Sequence, residues 1–413
     1  MADAVANSFL IIVLPLYIAS GELRLPGFEG QAILGIPLTV ELLIGVALSI
    51  FGFLNSFAQP ATGRLSDRTG RRKVYILAGL VVLAVTSAAY AFVDTYEALV
   101  VVRALQGLGG ALVIPATIAL VNELARSDSE RGGNFGVFNT FRLIGFGFGP
   151  IVAGSVVAAG PYPLPAGGTL SGFDAAFGVA VLGAAISFGL VMLFVDDTDS
   201  SGVDAGEDLS IHVFDTDDGL LDPVFVLGVA TFFMAVSIAL YATLQEPIND
   251  RLGQGSTLFG LQFSAVVIAN VLLQVPVGRA ADRIGRKPFL IAGLVILAPS
   301  VLAQGLVTDP WSMLGARLVQ GVAVAFVFAP SLAIAGDIAG AGQSGTTLSV
   351  LTMAFGFGTA VGPLASGVLF GYGFVVPFGF GAGLAVVALA LVVTQVEETL
   401  DGASLSRIVD VGD

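Results

Sequence analysis

The side chains able to do chemistry in this chain are almost all charged groups and amides. Its 413 residues include no cysteine and one histidine, His212, which sets aside disulfides, thiolate sites and a histidine-based metal centre. What remains is a basic segment written twice. Gly63-Arg64-Leu65-Ser66-Asp67-Arg68-Thr69-Gly70-Arg71-Arg72-Lys73 returns as Gly278-Arg279-Ala280-Ala281-Asp282-Arg283-Ile284-Gly285-Arg286-Lys287, at an offset of 215 (278 − 63). The chemistry open to it is ion pairing: Asp67 and Asp282 can pair with nearby arginines or satisfy a helix N-terminus. Gly70 and Gly285 suit a tight turn with positive φ. Gly63 and Gly278 are expected to end a span where the backbone passes close to a neighbour.

Three further arginines, Arg103, Arg142 and Arg317, stand inside apolar stretches, where a charge is costly unless paired or hydrated. Arg103-Ala104-Leu105-Gln106-Gly107 recurs as Arg317-Leu318-Val319-Gln320-Gly321, Pro115 pairs with Pro330, Glu123 with Asp337, and Gly149-Pro150 with Gly362-Pro363. A register kept across separate motifs marks the two halves as duplicates. Arg142 breaks the symmetry, since Phe355 occupies the matching position; it is a candidate for contacting an anionic cargo or a carboxylate. Glu123 and Asp337 are expected to partner the hairpin arginines. Glu41 and Glu246 are expected near the opposite ends of their spans, and Glu41 is the best carrier for a coupling proton. Asn7, Asn55, Gln59, Asn139, Tyr241, Asn270 and Gln274 either line a cavity or make helix-packing hydrogen bonds.

The elements that must position these residues are apolar. The chain is 55% hydrophobic and 12% charged, with mean hydropathy +0.92, whereas a soluble domain carries about 25% charged residues. Spans of about 20 residues cross a bilayer, and twelve are read: 4–20, 41–62, 74–93, 98–125, 133–158, 175–195, 223–247, 256–280, 288–307, 310–338, 345–370 and 375–396. The first begins almost at Met1 and lacks the basic leading region of a signal peptide, so it is read as a span. With the N-terminus inside, twelve Lys and Arg fall on the cytoplasmic side and two, Arg24 and Arg251, outside; the positive-inside rule then puts both termini in the cytoplasm. Residues 196–222 form an acidic, solvated linker between bundles at 1–195 and 223–396, and 397–413 form a cytoplasmic tail. The net charge of −14 and the scarcity of lysine suit a salt-adapted archaeon, or reflect that one acidic linker. No basic surface suits nucleic acid.

The repeated hairpin, the six-plus-six layout and the Arg-x-x-Gln-Gly segment resemble the major facilitator superfamily across essentially the whole chain. Its loop motif, G-x-x-x-D-R/K-x-G-R-R/K, is matched at 63–72 and 278–287. The resemblance implies an all-α membrane protein: two pseudo-symmetric six-helix bundles related by an axis along the membrane normal, around a central cargo site. It implies that Gly63, Asp67, Arg68, Gly70 and Arg71, with Gly278, Asp282, Arg283, Gly285 and Arg286, form a cytoplasmic latch; the alternative is charge that only sets topology. It gives Arg103 a part in cavity electrostatics or proton coupling, beside the alternative of a structural pair through Gln106. The fifth span carries Gly136, Gly145, Gly149, Pro150 and Gly154, similar to the antiporter signature of the drug-efflux branch, with Ala153 as one departure. Pro150 is expected to kink that span. A second departure is the absence of a membrane-embedded carboxylate from the first span.

The expected function is secondary active export of small amphipathic molecules or drugs in exchange for protons, with import by a proton- or sodium-coupled symporter of a sugar, organic acid or amino acid as the alternative. No nucleotide-binding loop occurs, no enzyme chemistry or cofactor is expected, and the partners are a small-molecule substrate, a coupling ion and membrane lipid. A monomer in the plasma membrane is expected.

Overall fold

The computed structural model describes residues 2–27, 31–33, 35–124, 128–165, 167–197, 221–338 and 344–400. The linker beyond Asp197 with His212, the tail beyond Leu400 with Arg407, and Arg126 lie outside the described residues, as do the side chains of Asn7 and Arg131.

The described residues are almost entirely helical. The first half holds α1 (Ala2–Ala19), α2 (Val40–Thr69), α3 (Arg72–Ala89), α4 (Tyr96–Glu123), α5 (Asp128–Ala159) and α6 (Gly172–Phe194). The second holds α7 (Pro223–Thr243), α8 (Gln245–Leu252), α9 (Ser256–Ile284), α10 (Arg286–Leu306), α11 (Pro310–Ile338), α12 (Ser344–Phe370) and α13 (Val376–Gln395). Among the described residues eleven helices are long and apolar enough to cross a membrane, and α1 adds the shorter apolar stretch Ser8–Ala19. Two minimal hairpins, β1 (Ala32–Ile33) with β2 (Ile36–Pro37) and β3 (Tyr162–Pro163) with β4 (Thr169–Leu170), decorate the α1–α2 and α5–α6 connections.

The helix ends follow local chemistry. Thr39 caps α2 by accepting from the Leu42 N–H at 3.1 Å, and Ser171 caps α6 by accepting from the Asp174 N–H at 3.0 Å. Gly70 ends α2 with φ +63° and Gly285 separates α9 from α10 with φ +130°, conformations that side chains avoid. The stretch expected as one span over 223–247 is divided. Apolar α7 stops at Thr243, and the polar helix α8 (Gln-Glu-Pro-Ile-Asn-Asp-Arg-Leu) begins at Gln245. The cause is Pro247, which has no N–H for the Thr243 carbonyl and is tolerated only in the first turn of a new helix.

The chain forms two compact units. The first comprises the described residues of Met1–Gly206, Ala242–Ser264 and Pro363–Gly371; the second comprises those of Glu207–Tyr241, Ala265–Gly362 and Tyr372–Asp413. In the first unit α4 packs on α2 and α3, and α1 on α5 and α6. Ile76 and Leu80 of α3 bury against Val113, Ala116 and Leu120 of α4. In the second unit α10 packs on α11 and α13, with Leu290, Leu294 and Val327 in its core. The duplication is visible in the backbone packing of each unit. A Cβ on Gly107 of α4 would stand 2.7 Å from the Phe51 carbonyl oxygen of α2, and one on Gly321 of α11 would stand 2.6 Å from that of Val266 in α9. Helices in lipid associate through such close contact.

Candidate functional site

Each basic hairpin is organised by one guanidinium. Arg72, the first residue of α3, is 5% exposed. It donates to Glu123 Oε1 from Nε at 3.0 Å and from a terminal nitrogen at 2.7 Å. Its other terminal nitrogen reaches Asp67 at 2.6 Å and Ser66 Oγ at 2.9 Å. One charge thereby ties the end of α2, the start of α3 and the end of α4. In the second unit Arg286, the first residue of α10, pairs with Asp282 at 3.1 Å, with Asp337, and with the Ala333 carbonyl at 3.1 Å. Arg71, by contrast, is the exposed N-cap residue of α3, and Arg68 and Arg283 are exposed in the last turns of α2 and α9.

Two expectations for the hairpin are corrected. Gly63 and Gly278 end no helix, since α2 runs on to Thr69 and α9 to Ile284. A Cβ on Gly63 would meet only Pro115 Cβ at 3.6 Å, and one on Gly278 would meet nothing within 4 Å. The extra helical turn is what brings Ser66 and Asp67 to Arg72. Nor do Asp67 and Asp282 satisfy a helix N-terminus. The caps come from beyond α6 and α13: Asp197 Oδ1 accepts from the Lys73 N–H at 2.6 Å, and Glu398 Oε2 from the Lys287 N–H at 2.9 Å. Thr399 Oγ also donates to Asp337 at 2.7 Å. The two capping acids were missed because they lie outside the repeated segment; their common placement after the last residue of a span is the signal.

The buried arginines occupy matching nests. Arg103 is 2% exposed, donates to Gln106 Oε1 at 2.6 Å and lies 4.3 Å from the Phe51 ring centre. Gln106 accepts from the Tyr90 hydroxyl at 3.1 Å and donates to Ser87 Oγ at 3.2 Å. Arg317 is 0% exposed, donates to Gln320 Oε1 at 2.7 Å and lies 4.1 Å from the Tyr241 ring centre. Gln320 accepts from Gln304 at 3.1 Å and donates to the Ser237 carbonyl at 3.2 Å. A desolvated cation over a ring gains about 2 kcal/mol, and the amides supply acceptors that hydrocarbon cannot. Gln59 donates to Asn55 at 3.1 Å along α2. Asn139 is half-buried and Arg142 exposed on α5.

A third feature lies within the first unit. A Cβ on Gly45 of α2 would stand 2.5 Å from the Pro363 carbonyl oxygen of α12, and one on Gly367 would stand 2.5 Å from that of Glu41. A Cβ on Gly154 of α5 would stand 2.3 Å from the Ser256 carbonyl oxygen of α9, and one on Gly260 would stand 2.3 Å from that of Pro150. The residues correspond by duplication: Gly45 to Gly260 and Glu41 to Ser256 at 215, Pro150 to Pro363 and Gly154 to Gly367 at 213. It is one contact made twice, backbone on backbone. Ser49 Oγ accepts from the Leu364 N–H, and Ser256 Oγ donates to the Gly154 carbonyl, both at 3.0 Å. α5 is a single helix through Pro150, whose carbonyl is the contact point. Gly145 accepts from Ser8 Oγ at 3.4 Å, and Gly136 and Gly149 lie on the same helix.

Near the α2 end of this region, burial raises the pKa of Glu246 on α8, assisted by the carboxylates of Asp250 and Glu41.

The sequence profile of the Major Facilitator Superfamily matches residues 1–243 and 224–408. The chain is 27% identical over 329 residues to the multidrug resistance protein MdtG of Enterobacter lignolyticus, covering 77% of this chain and 71% of that one. It is 27% identical over 178 residues to Multidrug resistance protein 2 of Bacillus subtilis, covering 43% of this chain and 44% of that one, so it spans under half of that relative's length. Among solved structures, a D-xylose–proton symporter superposes with TM-score 0.71 at 16% identity, covering 96% of each chain. The human organic anion transporter MFSD10 superposes with TM-score 0.63 at 21% identity, covering 95% of this chain and 96% of that one. With its profile matched from residue 1 to residue 408 and eleven membrane-length helices among the described residues, the chain belongs to the Major Facilitator Superfamily and is a multi-pass membrane protein.

Proposed function

We propose that the chain is a secondary active exporter of small amphipathic molecules, working by alternating access in the plasma membrane with both termini cytoplasmic. Residues 1–195 and 223–396 are the two moving bundles, joined by the linker 196–222. The observation that carries export is the Gly-Pro segment of α5. Its spacing resembles the antiporter signature, and in the structure Pro150 and Gly154 meet α9 backbone to backbone. Relatives that are 26–27% identical and named multidrug resistance proteins support the same direction.

The hairpin clusters around Arg72 and Arg286 act as cytoplasmic latches that break during turnover, and the two glycine crossings close the opposite side. Proton exchange is the coupling. A proton crossing about 100 mV releases about 2.3 kcal/mol, and one pH unit adds about 1.4 kcal/mol. One proton per cargo therefore sustains a gradient of a few hundred-fold. Glu41 and Glu246 are the carboxylates placed to take that proton from outside. Sodium is the other candidate ion.

Everted membrane vesicles acidified inside test the direction. Chain-dependent accumulation of a fluorescent drug in their lumen supports export; entry into whole cells down an imposed proton gradient would instead make the chain a symporter.

A further inference from the structure

We infer that a lipid-facing groove of the first unit binds a small amphipathic amine drawn from the membrane, with Asp174 holding its cation. The groove lies where the start of α6 meets the end of α3 remote from the basic hairpin, and it has a volume of about 470 Å³. Pockets for drug-sized molecules span about 300–1,000 Å³. All of its lining residues belong to the first unit. α3 and the turn after it contribute Ala88, Ala91 and Phe92, and α6 contributes Phe177, Gly178 and Val181. The adjoining helix faces are apolar and exposed: Val85 precedes Ala88 by three residues, and Leu182 follows Gly178 by four. Such faces meet hydrocarbon, so the groove opens to lipid.

Asp174 is the charged member of this lining and is half-buried. It stands two residues into α6 (Gly172 to Asp174). Ser171 Oγ donates to its Oδ2 at 2.8 Å, which orients the carboxylate without neutralising it. From there to Val181 is seven residues (181 − 174), about 10 Å along the helix. A carboxylate at the mouth and an apolar trough leading along the spans match a ligand with one polar head and one tail.

The surroundings fix the sign of that head. Glu22 and Asp94 join Asp174 in acting electrostatically on the Tyr17 hydroxyl, while Arg24 is paired with Asp94. An ammonium gains a charge-assisted bond to a carboxylate set in surroundings less polar than water. Phe92, 86% exposed, adds a ring that attracts cations. A phospholipid would bring its phosphate to the same carboxylate as a like charge, which favours a small amine over a lipid. The floor is already rigid. Buried Phe177 packs edge-on against Tyr17 at 5.4 Å and stacks on Tyr90 at 5.2 Å between ring centres. Tyr17 donates to the Val93 carbonyl at 2.8 Å and Tyr90 to Gln106 Oε1 at 3.1 Å. Little ordering cost is left for binding.

The test is photolabelling of the full chain in phosphatidylcholine vesicles by dodecylamine with a diazirine in its chain. Dodecanol and dodecanoate bearing the same diazirine are the controls, and labelled peptides are mapped by mass spectrometry. The expected result is saturable labelling of the groove residues of α3 and α6. The amine should reach half-saturation at a concentration at least about tenfold below either control. Asp174→Asn should raise that concentration about tenfold for the amine and leave it unchanged for the alcohol; the N–H that Ser171 caps is retained. Gly178→Leu should abolish groove labelling. A Cβ at Gly178 would meet nothing within 4 Å, so the new side chain fills the groove without straining the helix. Should Asp174→Asn fail to insert, Gly178→Leu and the amine-to-alcohol ratio decide together. Labelling that does not saturate, that is equal for the three probes, or that is unchanged in either variant overturns the site. Loss of amine labelling when phosphatidylethanolamine replaces phosphatidylcholine gives the groove to a lipid headgroup and overturns the small-amine assignment. Each of these outcomes leaves the exporter reading untouched, since drug accumulation in everted vesicles decides that separately.

Discussion

Arg72 gives two hydrogen bonds to a single oxygen of Glu123, at 2.7 and 3.0 Å, while its neighbour Arg71 stays exposed. Two adjacent arginines of one motif thus differ in their expected effects. Arg72→Gln should destabilise the protein by about 3–5 kcal/mol, the usual result of stranding one member of a buried pair. Arg71→Gln should stay within about 0.5 kcal/mol. Thermal unfolding in detergent of both variants, with Glu123→Gln to close a double-mutant cycle, measures the difference. Equal effects of the two arginines would contradict the geometry.

Asp67 pairs with the same guanidinium from the end of α2. Asp67→Asn is expected to slow transport severalfold while the protein inserts at wild-type levels, because the proposed latch requires the pair to form and break in each cycle. Drug uptake into everted vesicles, normalised to membrane-inserted protein, reads this out. Turnover at the wild-type rate would remove the latch role.

The glycine crossings leave no room for a methyl group. Gly154→Ala and Gly260→Ala each place a Cβ 2.3 Å from a backbone carbonyl oxygen, which cannot rotate away as a side chain would. Each should cost about 1–3 kcal/mol in the state that forms the crossing and reduce transport. Ser49→Cys with Leu364→Cys, in a chain with no native cysteine, should cross-link on mild oxidation and halt transport until reduced. Undiminished transport by the cross-linked protein would show that the crossing need not open.

Glu246 carries a sign that can be worked out. Burial, then Asp250 and Glu41, raise its pKa above the ordinary carboxylate value. Between that value and the raised one, the folded chain holds a proton that the unfolded chain has released. Stability contributed by this group is therefore present at lower pH and lost as pH rises through the interval. Glu246→Gln should flatten this part of the profile of melting temperature against pH. The same slope in wild type and variant would assign it to another group. For transport, Glu41→Gln and Glu246→Gln together separate the two candidate proton carriers by which one removes the pH dependence.

Much of this protein was legible in its residues. Sparse charge and long apolar runs dictate membrane helices, since every backbone polar group in lipid must bond within its own segment. The repeated motifs disclose the duplication, and the same spacing underlies the paired Gly107–Phe51 and Gly321–Val266 contacts. The inner acids Glu123 and Asp337 could be matched to hairpin arginines by charge, but not to one arginine. Only folding chose it. Arg71 is the N-cap of α3, whereas Gly285 itself caps α10, so Arg72 and Arg286 are both first helical residues. The first hairpin has one residue more than the second, and one residue turns a side chain by about 100° around a helix. The caps from Asp197 and Glu398 and the glycine crossings belong to the tertiary level for a related reason. They join residues more than a hundred positions apart, and spacing along a chain encodes which face a residue takes, not which distant backbone comes to meet it.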